Sequence, residues 1–251
     1  MIMRTAVFAA TLAFTTSLGA QSAAEHIALG DKDHAAGNAA SALKHYQEAA
    51  RVDPKSADAL WRSARESIDL GEFSDATRDS MYALGAEYAR SAVAADAKSA
   101  MAHFALAKAI GRRALSMGAR DRVKFAGEVR AEALESIRLD SINPGALHVM
   151  GMWHANVMRL SGISRFLAKN ILGGKTFDEA NWNDAAKFLE RASALEPDRV
   201  VHALNLAGVY RDKGDKAKAR EAYQRTLGIK AVEYNDKNYQ AQAQRELAEV
   251  K

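Results

Sequence analysis

Residues 23–56 read AAEHIALGDKDHAAGNAASALKHYQEAARVDPKS. In this window of 34 residues, Gly30, Gly37, Ala42, Tyr46, Ala49 and Pro54 stand at positions 8, 15, 20, 24, 27 and 32. Small residues at 8, 20 and 27 let two antiparallel helices approach closely. The aromatic at 24 fills the gap toward the next unit. Gly37 stands where the chain must reverse, and Pro54 where the second helix must stop. A single such helix pair cannot bury its own apolar face, so the spacing predicts a stack of them.

The frame recurs. In NLAGVYRDKGDKAKAREAYQRTLGI (205–229), Leu206, Ala207, Tyr210, Gly214, Ala219 and Tyr223 take the same roles. WNDAAKFLERASALEPD (182–198) supplies another second helix through Ala185, Leu189, Ala192 and Pro197. The middle units are looser. ADALWRSARESIDLGEFSDA (57–76) keeps Leu60, Ala64, Gly71 and Ala76 in frame, and its second helix runs long through YALGAEYARSAVAAD. AMAHFALAKAIGRRAL (100–115) opens a third unit, which EVRAEALESIRLDSI closes after an enlarged connection. GALHVMGMWHANVMRL (145–160) opens a fourth, and an insertion at 161–181 separates its helices. Residues 236–250 read as a polar-faced capping helix. The pattern resembles the tetratricopeptide repeat. The expected fold is an all-α solenoid of about five antiparallel helix pairs with a C-terminal cap, one domain over 23–251.

Composition agrees. The chain has only three prolines, and strong helix formers dominate over β-branched runs. It has no cysteine, which excludes disulfides, thiol catalysis and thiolate-ligated zinc. The net charge of +4 is spread along the chain rather than gathered in a stripe, so nucleic acid is not an expected partner. At the N-terminus, Arg4 precedes the apolar run TAVFAATLAF and the small-residue segment TTSLGAQSAA. Residues 1–22 therefore read as a signal peptide, cleaved between about 19 and 23. The mature protein is expected to be exported, periplasmic or secreted, without a membrane span once cleaved.

A second resemblance is more specific. Gly111, Arg112 and Arg113 form a Gly-Arg-Arg triplet, and His148, Gly151 and Trp153 a His-x-x-Gly-x-Trp. Gly173, Thr176 and Phe177 form a turn before a helix carrying Ala185 and Phe188. Over roughly 57–251 these features resemble the regulator of microtubule dynamics family, a divergent tetratricopeptide group with animal and bacterial members. The resemblance implies a binding scaffold. The microtubule association of animal members does not carry over to an exported chain.

Enzyme signatures are missing. His148 and His154 are six apart, about 240° around a helix, so they cannot share a metal from one face. GGKT at 173–176 lacks the preceding strand and the first glycine of a phosphate loop. DKDH at 31–34 lacks the further ligands of a calcium loop and reads as a solvated face. The lone histidines at 26, 45, 103 and 202 read as packing residues. No cofactor, catalytic residue or metal site is expected.

In tetratricopeptide stacks, positions 2, 5, 9, 12 and 13 of each unit face the concave groove, as the resemblance implies. Here they include Trp61, Arg65, Phe104, Lys108, Arg112, His148, Met152, Asn156 and Arg211. Aromatic anchors alternating with cations suit an extended peptide with acidic side chains or a C-terminal carboxylate. The expected function is a non-catalytic scaffold for a protein or peptide partner. The alternatives are a self-assembling repeat protein, an enzyme with a site in the 161–181 insertion, or a groove filled by the chain's own insertions.

Overall fold

A computed structural model describes residues 21–161 and 175–250. The expected signal peptide, apart from Gln21 and Ser22, lies outside these residues. So do most of the insertion and the Gly-Gly of GGKT.

Eleven helices of more than one turn follow one another, and no strand occurs among the described residues. They are α1 (Ala23–Ala35), α2 (Ala39–Val52), α3 (Ala57–Gly71), α4 (Arg78–Ala95), α5 (Ala100–Leu115), α6 (Ala119–Leu139), α7 (Pro144–Met158), α8 (Trp182–Leu195), α9 (Val200–Lys213), α10 (Lys216–Gly228) and α11 (Asp236–Glu249). A single helical turn, Lys175–Asp178, precedes α8. They pair as α1/α2, α3/α4, α5/α6, α7/α8 and α9/α10, the fourth pair across the 161–181 insertion, with α11 packed across the last pair. The all-α solenoid of five pairs and a cap is the observed architecture. One expectation needs correction: the connection before 128 is not a loop, because α6 already starts at Ala119.

One joint is repeated between units. At the end of a second helix, the N–H of Asp53, Asp96 or Asp140 donates to the carbonyl of Ala49, Ala92 or Ser136. The aspartate side chain accepts the N–H two residues on, from Lys55, Lys98 or Ile142, at 2.9–3.1 Å. Ser56, Ser99 or Asn143 then caps the next helix by accepting the N–H of Ala59, Ala102 or Ala146. These three joints therefore share one hydrogen-bond pattern; the fourth, before α9, has Arg199 at the N-cap and no side-chain cap.

Packing between the helices is close. Ala42, Ala49, Ala64, Ala89, Ala107, Ala133, Ala185 and Ala207 are fully buried. Gly37 and Gly214 take positive φ (73° and 90°) at the reversals within the first and fifth pairs, as the frame required. Gly151 serves closeness instead: a Cβ there would lie 2.6 Å from Leu189 Cγ and 3.0 Å from the Ala185 carbonyl. Gly127, on the exposed side of α6, has nothing within 4 Å of its would-be Cβ.

These two glycines make a controlled pair. Gly127→Ala is expected to raise stability by about 0.5–1 kcal/mol, through helix propensity alone. Gly151→Ala should lower it by about 1–3 kcal/mol, because the α7/α8 contact must open. Urea unfolding of the two variants measures both signs.

Candidate ligand cavity on the concave face

The first helices of the pairs line the inner face, and the chain occupies part of that face itself. The segment between α10 and α11 returns to the second unit. Asn235 Nδ2 donates to the Asp69 carbonyl at 2.8 Å, across 166 residues of sequence. The Tyr239 ring meets Phe73 edge-on, with centroids 5.3 Å apart. Arg199 pairs with Glu233. Asp236 holds the turn by accepting the N–H groups of Val232 and Glu233. Among the described residues the occupant is the C-terminal segment before α11.

Beyond this closure lies a cavity of about 260 Å³. Helix α5 contributes Phe104, Lys108, Gly111 and Arg112, and α6 contributes Val123, Ala126 and Val129. Helix α7 contributes His148, Val149, Met152, Trp153, Asn156 and Val157. Phe177, the α9 residues His202 and Asn205, and the cations Arg122 and Arg159 also stand in the wall. Trp153 is fixed by donating its indole N–H to the Ala126 carbonyl at 2.8 Å, and its ring stacks on Phe177. Glycine at 145 lets Phe104 lie against α7, since a Cβ there would fall 2.5 Å from the ring.

The polar groups gather around His148. Asn205 Nδ2 donates to His148 Nε2 at 3.0 Å, which leaves the proton on Nδ1. That Nδ1 is buried without a partner among the described residues. The His202 ring lies on His148, with centroids 4.6 Å apart. Burial holds both imidazoles neutral: His148 is pushed well below its ordinary range, and His202 to about 3, helped by the Arg199 charge. Lys108 and Arg112 are not free cations. Lys108 binds Asp69 at 2.8 Å, and Arg112 binds Glu72 at 2.6 Å.

Six of the nine groove candidates meet here: Phe104, Lys108, Arg112, His148, Met152 and Asn156. The other three lie elsewhere. Trp61 is buried and donates to Asp58, under the Arg62 guanidinium. Arg65 binds Glu66 and donates to the Tyr46 hydroxyl, while Tyr46 donates to Asp31. Arg211 repeats that arrangement at the far end, bridging Tyr223 and Glu246. The DKDH stretch is correspondingly not a bare solvated face: Asp31 reaches Tyr46 and Arg62, and His34 reaches Glu66.

His202, Asn205, Trp153 and Phe177 were missed as cavity residues. The groove frame marks the solvent-facing stripe of each first helix. The cavity also takes the flank of the next helix, where His202 and Asn205 stand three apart on one face. His154 packs apart from the cavity, stacked on Phe188. Among the described residues no group of three or more His, Cys, Asp or Glu is arranged to hold a metal ion. None of the described helices is long and apolar enough to cross a membrane.

A family model described as Regulator of microtubule dynamics protein 1-3 matches residues 24–251. The chain belongs to this family. The bovine Regulator of microtubule dynamics protein 1 is 26% identical over 172 residues, which are 66% of this chain and 51% of the bovine protein. The chain thus spans about half the length of that relative. A thermophilic TPR protein of Thermus thermophilus shares the fold at a TM-score of 0.64 and 19% identity, over 89% of this chain and 99% of that one. Pseudomonas aeruginosa pilF follows at 0.53 and 16%, over 91% of each chain. Of the eleven residues that carried the regulator of microtubule dynamics resemblance, five (Gly111, Arg112, His148, Trp153 and Phe177) line this cavity, whereas Arg113, Gly151, Ala185 and Phe188 do not.

The neutral histidines make stability depend on pH with a definite sign. Below about 6.5 the unfolded chain protonates at His202 while the folded chain, with its value near 3, does not. Stability is therefore full above about 6.5 and falls as pH drops toward 3. At pH 5 the loss from His202 alone is expected to be about 2 kcal/mol relative to pH 7. Urea unfolding at both pH values should show a smaller drop for His202→Asn than for the unaltered chain.

Proposed function

We propose that this protein is an exported, non-catalytic scaffold that grips a partner protein through one apolar side chain inserted into the α5–α7 cavity. The observation that carries the reading is the apolar cavity itself, whose wall takes in five of the eleven residues of the resemblance. The wall is mostly apolar, with a polar cluster around His148, which suits a side-chain anchor flanked by peptide backbone. At Lys108, Arg112 and Arg159 a carboxylate is the poorer guest, because Asp69, Glu72 and Asp212 already neutralise these cations. The N-terminal Arg4 and apolar run support export, and an exported chain would not meet tubulin. The relative's name is for that reason not taken as a guide to the partner.

Gly111 offers a clean test. It lines the cavity, and a Cβ there meets only Val129, at 3.8 Å. Gly111→Leu should fill the cavity without loss of stability, since it also improves helix propensity. In a photocrosslinking experiment from Asn156 on cells expressing the full chain, one partner band is expected and should vanish with Gly111→Leu. A band that survives in a folded Gly111→Leu protein would contradict the cavity as the binding site. The intact mass of the cell-derived protein tests export separately, with removal of about the first 20 residues expected.

A further inference from the structure

Among the described residues, the lysine and arginines of the cavity wall are Lys108, Arg112, Arg122 and Arg159. Three of them are already taken. Lys108 binds Asp69, Arg112 binds Glu72, and Arg159 binds Asp212. Arg122, near the start of α6, differs. Its Nε donates to the Met117 carbonyl at 3.0 Å, and no carboxylate among the described residues pairs with it, Asp121 beside it included. Arg122 is exposed, as is Leu115 of the same wall, while Val123 and Ala126 continue from it into the cavity. The side of the cavity that opens at the α5–α6 turn therefore carries one uncommitted charge.

The tie to Met117 gives that charge a direction. A guanidinium holds five N–H donors in one rigid plane. With Nε spent on the carbonyl, the two terminal amino groups keep their donors for a guest. A carboxylate accepts from two such groups side by side, in charge-assisted bonds stronger than neutral ones. Part of the side chain's rotamer freedom is already lost to the tie, so pairing costs less.

We propose that the segment bound in the cavity carries an acidic side chain beside its apolar anchor, and that Arg122 grips it. This rests on the cavity being the binding site and adds which segments it takes. The anchor supplies burial; Arg122 selects an acidic neighbour over a neutral one and repels a basic one. Arg122 stands on a second helix, outside the first-helix stripe from which the groove candidates came.

Two synthetic peptides separate the claims: acetyl-Gly-Glu-Phe-Glu-Gly-amide and its counterpart with glutamine for glutamate. The indole N–H signal of Trp153, in the cavity wall, reports occupancy in titrations of the ¹⁵N-labelled protein. At low salt the glutamate peptide is expected to bind about tenfold more tightly than the glutamine peptide. Salt should erode that margin and leave the glutamine peptide unmoved. In Arg122→Gln, shown to be folded by circular dichroism, the two peptides should bind alike, at the affinity of the glutamine peptide. Equal affinities for the unaltered protein would overturn the proposal and leave the cavity reading intact. So would a preference that survives in folded Arg122→Gln. A Trp153 signal that neither peptide moves would contradict the cavity reading, and this proposal with it.

Discussion

The contact of Asn235 with the Asp69 carbonyl decides what the rest of the inner face can be. Open helical stacks present a continuous groove. Here the superhelix curls far enough for the segment between α10 and α11 to reach the second unit, and it seals the contact with Tyr239 on Phe73. Arg199, just before α9, anchors the same segment through Glu233. Because Asp69 lies under this segment, its carboxylate is available to hold Lys108, and Glu72 one turn on holds Arg112. The cations that look like ligand hooks in one dimension are structural in three. What remains is a cavity whose chemistry is mostly apolar, with a neutral histidine pair at its polar side.

The curl follows from local rules repeated along the chain. At the first three boundaries, the aspartate that ends one pair and the serine or asparagine that starts the next make the same hydrogen-bonded joint. Buried alanines keep the helices close, and the tyrosines of the first and last units are tied by an arginine and a carboxylate on either side. Small rotations per joint then add up, as they do in repeat arrays generally. Burial against the cap ties the C-terminal units into their own core of Val200, Leu204, Tyr223 and Tyr239.

Much of this was legible beforehand. Gly30, Gly37, Tyr46 and Pro54 define the unit by spacing alone, and the terminal units repeat it closely enough to fix the fold. Phe104, Lys108, Arg112, His148, Met152 and Asn156 could be placed on one face because the frame assigns faces. The closure could not be read, because Asn235 and Asp69 are joined by no periodicity; only accumulated curvature brings them together. His202 and Asn205 escaped for a related reason, since they reach the cavity from the flank of the next helix. The aspartate-to-serine joint was in plain view as DPKS, DAKS and DSIN. It became a signal only once the same hydrogen bonds were seen at each.

The closure is the claim on which the account of the inner face turns, and the cysteine-free chain makes it directly measurable. Ala76 and Lys237 are exposed on the two sides of the contact and can each be replaced by cysteine and spin-labelled. Double electron–electron resonance should give one narrow, short distance that broadens and lengthens when Asn235 and Tyr239 are both changed to alanine. A broad, long distribution in the otherwise unaltered chain would mean an open groove, and would contradict the closed inner face described above.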